Sequence, residues 1–219
     1  MKALVAGATG QTGRRIVSQL VERGISVRAL VRNGAEAQKI LPEAVELFEG
    51  DVLKPNSLRV AMNQCDVLLC ATGASPSLDP TGPYQVDYEG TKHLIDAAKA
   101  ADIKQFVLVS SLCVSRFFHP LNLFWLVLYW KQQAEKSLQN SGLPYTIVRP
   151  GGLSNDKAQY PIVMAPANTL FEGSILRDQV AQVCVEALFE TASQNKIVEI
   201  VSQENAQTQP FGTLFEGVR

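Results

Sequence analysis

Three glycines stand at equal spacing near the start of the chain, in the run Gly7-Ala-Thr-Gly10-Gln-Thr-Gly13. They follow a short apolar segment, Ala3–Ala6, and open a second segment, Gln11–Arg23, in which Ile16, Val17, Leu20 and Val21 share one helical face. A strand, a glycine loop and a helix in that order suit a phosphate. Gly7 allows a tight turn without a Cβ clash, Gly10 lets the backbone approach a pyrophosphate, and Gly13 lets helix and strand pack. The start of the helix aims N–H groups and a partial positive charge at anionic oxygens, which makes Thr9, Gln11 and Thr12 candidates alongside the glycines. The spacing differs by one residue from the better-known G-x-G-x-x-G, and the chemistry is the same. The implied ligand is a dinucleotide.

The end of the second apolar segment, Val27–Val31, discriminates between the two nicotinamide dinucleotides. NAD binders place an acid there to accept from the ribose 2′-hydroxyl. This chain has Val31 and then Arg32, and the nearest acid along the loop is Glu36. A guanidinium suits bidentate contact with a phosphate. NADP(H) is therefore the expected cofactor, with Arg32 on its 2′-phosphate and Arg14 as a second donor. Asp51 and Val52 follow the third apolar segment, where an acid at a strand end reaches an adenine amino group. Ala71, Thr72 and Gly73 follow the fourth and form a small-residue bend that lets backbone approach a ligand.

These residues need a scaffold, and the chain alternates short apolar runs with longer amphipathic ones, as a parallel α/β sheet does. Strands are predicted at Ala3–Ala6, Val27–Val31, Val45–Phe48, Val67–Cys70, Phe106–Ser110, Tyr145–Val148 and Lys196–Val201. Helices are predicted at Gln11–Arg23, Ala35–Leu41, Asn56–Met62, Tyr84–Ala101, Leu123–Asn140 and Arg177–Phe189, with Gly24 as a left-handed cap. The fold class expected is α/β: a Rossmann-type, doubly wound, mainly parallel sheet of about seven strands with helices on both faces. No linker divides the elements, so residues 1–219 read as one dinucleotide-binding domain, the part from about 151 forming the substrate or partner side. The polar tail after Ser202 ends in Phe211, Leu214 and Phe215, which read as a docking cluster. LFEG recurs at Leu47–Gly50, Leu170–Gly173 and Leu214–Gly217 at unequal intervals, which is no repeat architecture.

Composition narrows the function classes. The 219 residues carry 20 Lys+Arg against 21 Asp+Glu, a formal charge of −1, which argues against a general nucleic-acid binder. With 46% hydrophobic residues, global disorder is excluded. Cys65, Cys70, Cys113 and Cys184 form no C-x-x-C pair and share no ligand spacing with His93 or His119. A metal site is not expected, and the thiols read as free and mostly buried in a reducing compartment. The first residues read as a buried strand rather than a leader peptide, and no run approaches a membrane span. A soluble protein of the cytoplasm or plastid stroma is expected.

Several motifs together resemble the atypical branch of the short-chain dehydrogenase/reductase superfamily. They are GATGQTG, the LVRN after the second strand, GDV at Gly50–Val52, VDYEGTKHLIDAAKAA at Val86–Ala101, VLVSS at Val107–Ser111, and SGLPYTIVRPGGL at Ser141–Leu153. The stretch from Asn122 to Leu153 is similar to a plastid and cyanobacterial subgroup that includes redox-sensing dinucleotide-binding domains. The resemblance implies a catalytic Ser, carried over to Ser111, and a Tyr-x-x-x-Lys pair whose Lys is Lys131. It also places Lys131 and Pro150 among the cofactor-binding residues. Four residues before Lys131 stands Val127, not Tyr. Tyr129 points elsewhere on a helix, about 200° from Lys131, so it does not restore the pair. It reads as a surface or interface aromatic. Cys113 reads as a small buried hydrophobe and His93 as an ordinary helical residue.

Phe117–Trp130 is unusually apolar for the rim of such a site. Four readings stay open: a cover over a substrate pocket, contact with a partner chain or self-association, contact with a membrane surface, or plain core. Two functions follow. One is an NADP(H)-binding, redox-sensing or weakly reducing protein without the usual proton donor. The other is an active NADPH-dependent oxidoreductase on a hydrophobic small molecule.

Overall fold

The computed structural model describes residues 1–74, 79–156 and 158–218. Its first half alternates β1 (Lys2–Ala6), α1 (Gly13–Glu22), β2 (Ser26–Val31), α2 (Gly34–Ala37), β3 (Glu46–Glu49), α3 (Pro55–Ala61) and β4 (Val67–Cys70). A π-helical turn, Pro83–Glu89, runs directly into α4 (Gly90–Ala100), and β5 (Gln105–Val109) follows. A 3₁₀ turn, Pro120–Leu123, precedes α5 (Val127–Gln139), then come β6 (Tyr145–Pro150), β7 (Gly152–Ser154), β8 (Ile162–Pro166) and β9 (Ser174–Leu176). The chain closes with α6 (Arg177–Glu186), β10 (Lys196–Ser202) and α7 (Phe211–Glu216).

Eight strands form one sheet in the order β3-β2-β1-β4-β5-β6-β10-β8. All neighbours are parallel except β8, which runs antiparallel to β10. The fold is a mainly parallel, Rossmann-like α/β sheet. The main sheet has one strand more than the seven expected, and β7 pairs with β9 in a separate two-stranded unit. The extra strand is β8, Ile162-Val-Met-Ala-Pro166, which follows Pro161, ends in a proline and has no alternation to mark it. It is an edge strand, where proline is tolerated.

The apolar strands split their side chains between two faces. On one, Ala3, Val5, Val27, Ala29, Val67, Leu69, Val107 and Val148 pack on Ile16, Val17 and Leu20 of α1 and on Val180 and Val183 of α6. On the other, Leu4, Leu30, Leu68, Phe106 and Ile147 pack on Leu58 of α3, Leu94 and Ala98 of α4 and Leu138 of α5. Alternation of that kind is what a central strand buried on both faces produces. Gly24 ends α1 at φ +70°, with its N–H on the Val21 carbonyl.

Two predicted helices are built differently. Tyr84–Ala101 is a π turn followed by an α-helix, and the wider turn carries Asp87 into the interior. Leu123–Asn140 shortens to α5, because Trp125 and Leu126 adopt left-handed backbone at φ +55° and +58°. The Asn122 side chain fixes that start. Its Oδ1 accepts from the N–H groups of Leu128 (2.9 Å) and Tyr129 (3.2 Å), and its Nδ2 donates to the Phe117 carbonyl at 2.8 Å. A side-chain acceptor on first-turn N–H groups is an N-cap, here supplied from outside the helix.

The tail does dock. Leu214 and Phe215 are buried on α7, and Lys196 Nζ donates to the Phe215 and Val218 carbonyls at 2.7 and 2.5 Å. All four cysteines are free and buried, and burial pushes the Cys184 thiol up to about 12. No helix among the described residues is long and apolar enough to cross a membrane.

Candidate functional site

The strand order reverses direction between β1 and β4, and the crevice outside their carboxyl ends is where ligands bind in such sheets. Gly7 leaves β1 at φ +78°, and a Cβ on it would lie 2.6 Å from the Ala71 carbonyl oxygen at the end of β4. A Cβ on Gly13 would lie 2.0 Å from the Gly7 carbonyl oxygen. Both glycines are therefore fixed by backbone, not by flexible side chains. The turn closes with Gly10 N on the Gly7 carbonyl at 3.0 Å, and α1 starts at Gly13 with Thr12 buried at its head. Thr9, Gly10 and Gln11 are exposed on the rim. Gln11 is also a hub: its Oε1 accepts from Arg14 at 2.5 Å, and its carbonyl accepts from Arg15 at 2.7 Å.

Across the crevice, Ala71, Thr72 and Gly73 continue β4 toward Lys131 on α5. Lys131 Nζ lies 2.7 Å from Asp87 Oδ1, with the lysine side chain 19% exposed and the aspartate 1%. The other Asp87 oxygen accepts from Ala74 N at 3.1 Å. A Cβ on Gly73 would stand 3.7 Å from Asp87 Oδ1 and 3.9 Å from Lys131 Nζ, so the bend after β4 lies directly on the ion pair. Burial, the largest single influence, drives the Lys131 ammonium toward neutrality, but the charge and hydrogen bond of Asp87, with Cys70 and Glu135, together outweigh it and hold the ammonium above the usual lysine range. Thr72, Asp87, Thr91, Ser110 and Lys131 line a void of about 10 Å³, room for one water at most. Ser110 Oγ is buried without a hydrogen-bond partner among the described residues.

Ser111 does not line that void. It lies between two backbone bonds that zip the end of β5 to β6, Ser110 N to the Val148 carbonyl (2.7 Å) and Leu112 N to the Pro150 carbonyl (2.9 Å). Pro150 is buried at the end of β6. The fold therefore brings Ser110, not Ser111, to Lys131. Asp87 escaped sequence reasoning altogether, although a signal existed: an acid in the stripe Pro83, Asp87, Gly90, Thr91, Leu94 that the helix buries. An acid at such a position stays only with a cation beside it.

A second buried array orients α5. Arg149 of β6 donates to both Glu135 oxygens, from Nε at 3.0 Å and Nη2 at 2.6 Å, and to Glu199 Oε1 at 3.1 Å. Glu199 also accepts from the backbone N–H groups of Asn168, Thr169 and Leu170 at 2.7–3.0 Å. Glu135 sits one turn beyond Lys131, so this bidentate bond sets the rotation of the helix that presents the lysine.

On the other side of β1, Arg32 is exposed directly after β2. Asn33 caps α2, its Oδ1 accepting from Glu36 N at 3.2 Å. The Asp51 side chain accepts from Leu53 N at 2.9 Å, and the Val52 carbonyl lies 2.9 Å from His93 Nδ1. Tyr129 stacks edge-on with Trp130, centroids 5.0 Å apart, and faces Phe117 at 6.1 Å. Cys113, at φ +63°, donates from Sγ to the Phe171 carbonyl at 3.2 Å. A Cβ-free cradle at a helix start, a small-residue bend and an ammonium fit the pyrophosphate and ribose of a dinucleotide.

Comparison with known proteins agrees with that fit. The NAD(P)H-binding family pattern matches residues 7–191. An uncharacterised chloroplast protein of Arabidopsis thaliana is 44% identical over all of this chain and 82% of its own length. TIC 62 of the pea chloroplast, Pisum sativum, is 38% identical over 94% of this chain, which spans only 44% of that relative. Sanguinarine reductase of Eschscholzia californica is 33% identical over 100% of this chain and 96% of its own. Among solved structures, a Bacillus halodurans protein provisionally assigned as an NAD-dependent epimerase/dehydratase superposes with a TM-score of 0.86 at 28% identity, covering 99% of both chains.

Proposed function

The chain belongs to the NAD(P)H-binding family, as an atypical short-chain dehydrogenase/reductase close to TIC 62, and from that premise we propose that it binds NADP(H) in preference to NAD(H) and reports or uses its redox state with little intrinsic turnover. The observation that carries this reading is the pairing at the end of the crevice. Lys131 is engaged by Asp87, and the residue one turn before it on the same face is Val127 rather than a phenol.

A bound nicotinamide cofactor supplies a hydride donor. The chain's own residues do the rest. Gly7, Gly10 and Gly13 let the backbone close on the pyrophosphate, with Thr9, Gln11 and Thr12 at the helix start. Ala71, Thr72 and Gly73 would border the nicotinamide half of a bound dinucleotide, and Lys131 would hold its ribose hydroxyls. Asp51 and Val52 would border its adenine, and Arg32 would meet its 2′-phosphate. Lys131 is a poor proton source, since Asp87 holds its proton firmly, and Ser110 can orient a substrate oxygen but does not ionise near neutral pH. Redox sensing is then the main role, in a soluble plastid or cyanobacterial setting, with partner contact through Phe117–Trp130 and the part of the chain beyond residue 151.

A reductase acting on a hydrophobic small molecule is the second reading. It is favoured by the match to sanguinarine reductase along the whole chain and by the unpartnered Ser110 hydroxyl. Calorimetry with both dinucleotides, on wild type and Arg32→Ala, tests the cofactor. One charge-assisted contact contributes about 1.5–3 kcal/mol, so NADP(H) should bind roughly 10- to 100-fold tighter, and Arg32→Ala should lose most of that. Fast NADPH oxidation across quinones, aldehydes and enones would replace the sensing role with the second reading.

A further inference from the structure

We propose that Glu49, at the carboxyl end of β3, limits the chain's preference for NADP(H) over NAD(H); the inference rests on the reading that the adenosine 2′ position lies at the loop after β2. The end of β2 carries no acid, yet the fold delivers one there from the neighbouring strand. Val31 and Glu49 are register partners, and Gly50 N donates to the Val31 carbonyl at 2.9 Å, which holds the two strand ends level. Glu49 Oε1 then accepts from Gly34 N at 2.8 Å, two residues beyond Arg32.

Gly34 makes room for this carboxylate. A Cβ there would lie 2.7 Å from Glu49 Oε1. The loop therefore presents a guanidinium and a carboxylate with opposite consequences for the ligand. A ribose 2′-hydroxyl can donate to Glu49, as it does to the acid at the end of β2 in NAD binders. A 2′-phosphate is drawn by Arg32 and repelled by Glu49. The Asn33 Oδ1 is an acceptor already held by Glu36 N at 3.2 Å, so that oxygen offers a 2′-phosphate nothing. Both groups are exposed, so each acts through a high dielectric, and one charge a few ångströms away changes affinity by about threefold to tenfold.

The test is calorimetric titration of NADP⁺ and NAD⁺ into wild type, Glu49→Gln and Gly34→Ala, at low and high salt, with Arg32→Ala alongside. Glu49→Gln should raise the NADP⁺/NAD⁺ affinity ratio about threefold to tenfold because the charge is gone. Gly34→Ala should raise it in the same direction because the methyl displaces the carboxylate. Both gains should shrink as salt rises. A Glu49→Gln ratio within twofold of wild type, or a Gly34→Ala ratio that falls, overturns the proposal. Arg32→Ala separates the two ideas. If it is silent while Glu49→Gln responds, Glu49 keeps its role and Arg32 is not the phosphate contact. If it responds while Glu49→Gln is silent, Glu49 alone is rejected.

Discussion

Lys131 on α5 and Asp87 on the π turn ahead of α4 meet at 2.7 Å, directly beside Gly73 in the bend after β4. The aspartate is enclosed, so its charge depends on the lysine rather than on water. Removing one partner of a buried pair leaves the other charge uncompensated, at a cost of about 3–5 kcal/mol. Asp87→Ala should therefore lower unfolding free energy by roughly that amount, and Asp87→Asn by less, because an amide oxygen can still accept from Ala74 N. Urea denaturation measures both. The pair also predicts a pH dependence. The folded-state pKa of Lys131 is raised, so its stabilisation is complete below the unfolded lysine value of about 10.4 and is lost as pH rises through the folded value. The stability difference between wild type and Lys131→Met should be flat from neutral pH to about pH 10 and narrow above it.

Gly7 makes a sharper test of the crevice than any charged residue. Its backbone is left-handed, and its missing Cβ would collide with backbone atoms of Ala71 and Thr72. Neither β1 nor β4 can yield without breaking the ladder between them, in which Ala71 N donates to the Ala6 carbonyl at 2.9 Å. Gly7→Ala should cost about 1–3 kcal/mol of stability and abolish dinucleotide binding at millimolar ligand. Gly24→Ala is the control. It shares the positive φ but meets nothing within 4 Å, so it should lose stability while keeping affinity. Equal affinity losses in both would mean that strain, not the crevice, is being measured.

Much of this was legible in the residues. Val67–Cys70 is a strand with the bounds that its apolar run suggests, and the glycine loop joins β1 to α1 in the strand–loop–helix order that its spacing suggests. Such features are local: four consecutive apolar residues or three glycines specify their own geometry. What stayed hidden depends on tertiary partners. Asp87 reads as one more acid on a helix until α5 brings Lys131 to it. Glu49 reads as the solvated end of a strand until β2 and β3 align. Tyr84–Ala101 has continuous helical periodicity, and nothing in it marks the π register. Leu123–Asn140 looks helical from its first residue, but Asn122 caps it four residues later and the chain before it turns left-handed.

That left-handed break has a consequence for surface chemistry. As a single helix, the segment Phe117–Trp130 would turn half its side chains inward. Broken at Trp125 and Leu126, it leaves Phe118 96% and Leu123 85% exposed beside half-covered Phe117 and Phe124. Side chains so exposed contribute little to folding, so Phe118→Ser and Leu123→Ser should each change stability by less than about 0.5 kcal/mol. They should instead weaken self-association or liposome binding, read by light scattering and flotation. A double variant that unfolds would return the segment to the core.

The last prediction concerns chemistry at Lys131. Val127 opens α5 one turn before Lys131, so a side chain there projects on the same face. It packs against Leu112, Cys113, Val114 and Leu128, a small cluster at the rim of the sheet rather than its centre. A phenol at that position can pass the cluster toward the crevice, where the Lys131 ammonium would stabilise its phenolate. A positioned general acid is worth about 10²- to 10⁴-fold in rate. Val127→Tyr should therefore raise NADPH oxidation on a quinone or enone panel by at least about 10²-fold over a slow wild type. The gain should vanish when Lys131→Met is added, and it should rise with a pH profile that wild type lacks. Serine replacements then assign the substrate contact. Ser110 faces Lys131 across the void and Ser111 does not, so Ser110→Ala in the Val127→Tyr background should lose most of the gain while Ser111→Ala keeps it. The reverse pattern would move the substrate oxygen to the Ser111 side of β5 and leave the buried Ser110 hydroxyl a packing residue.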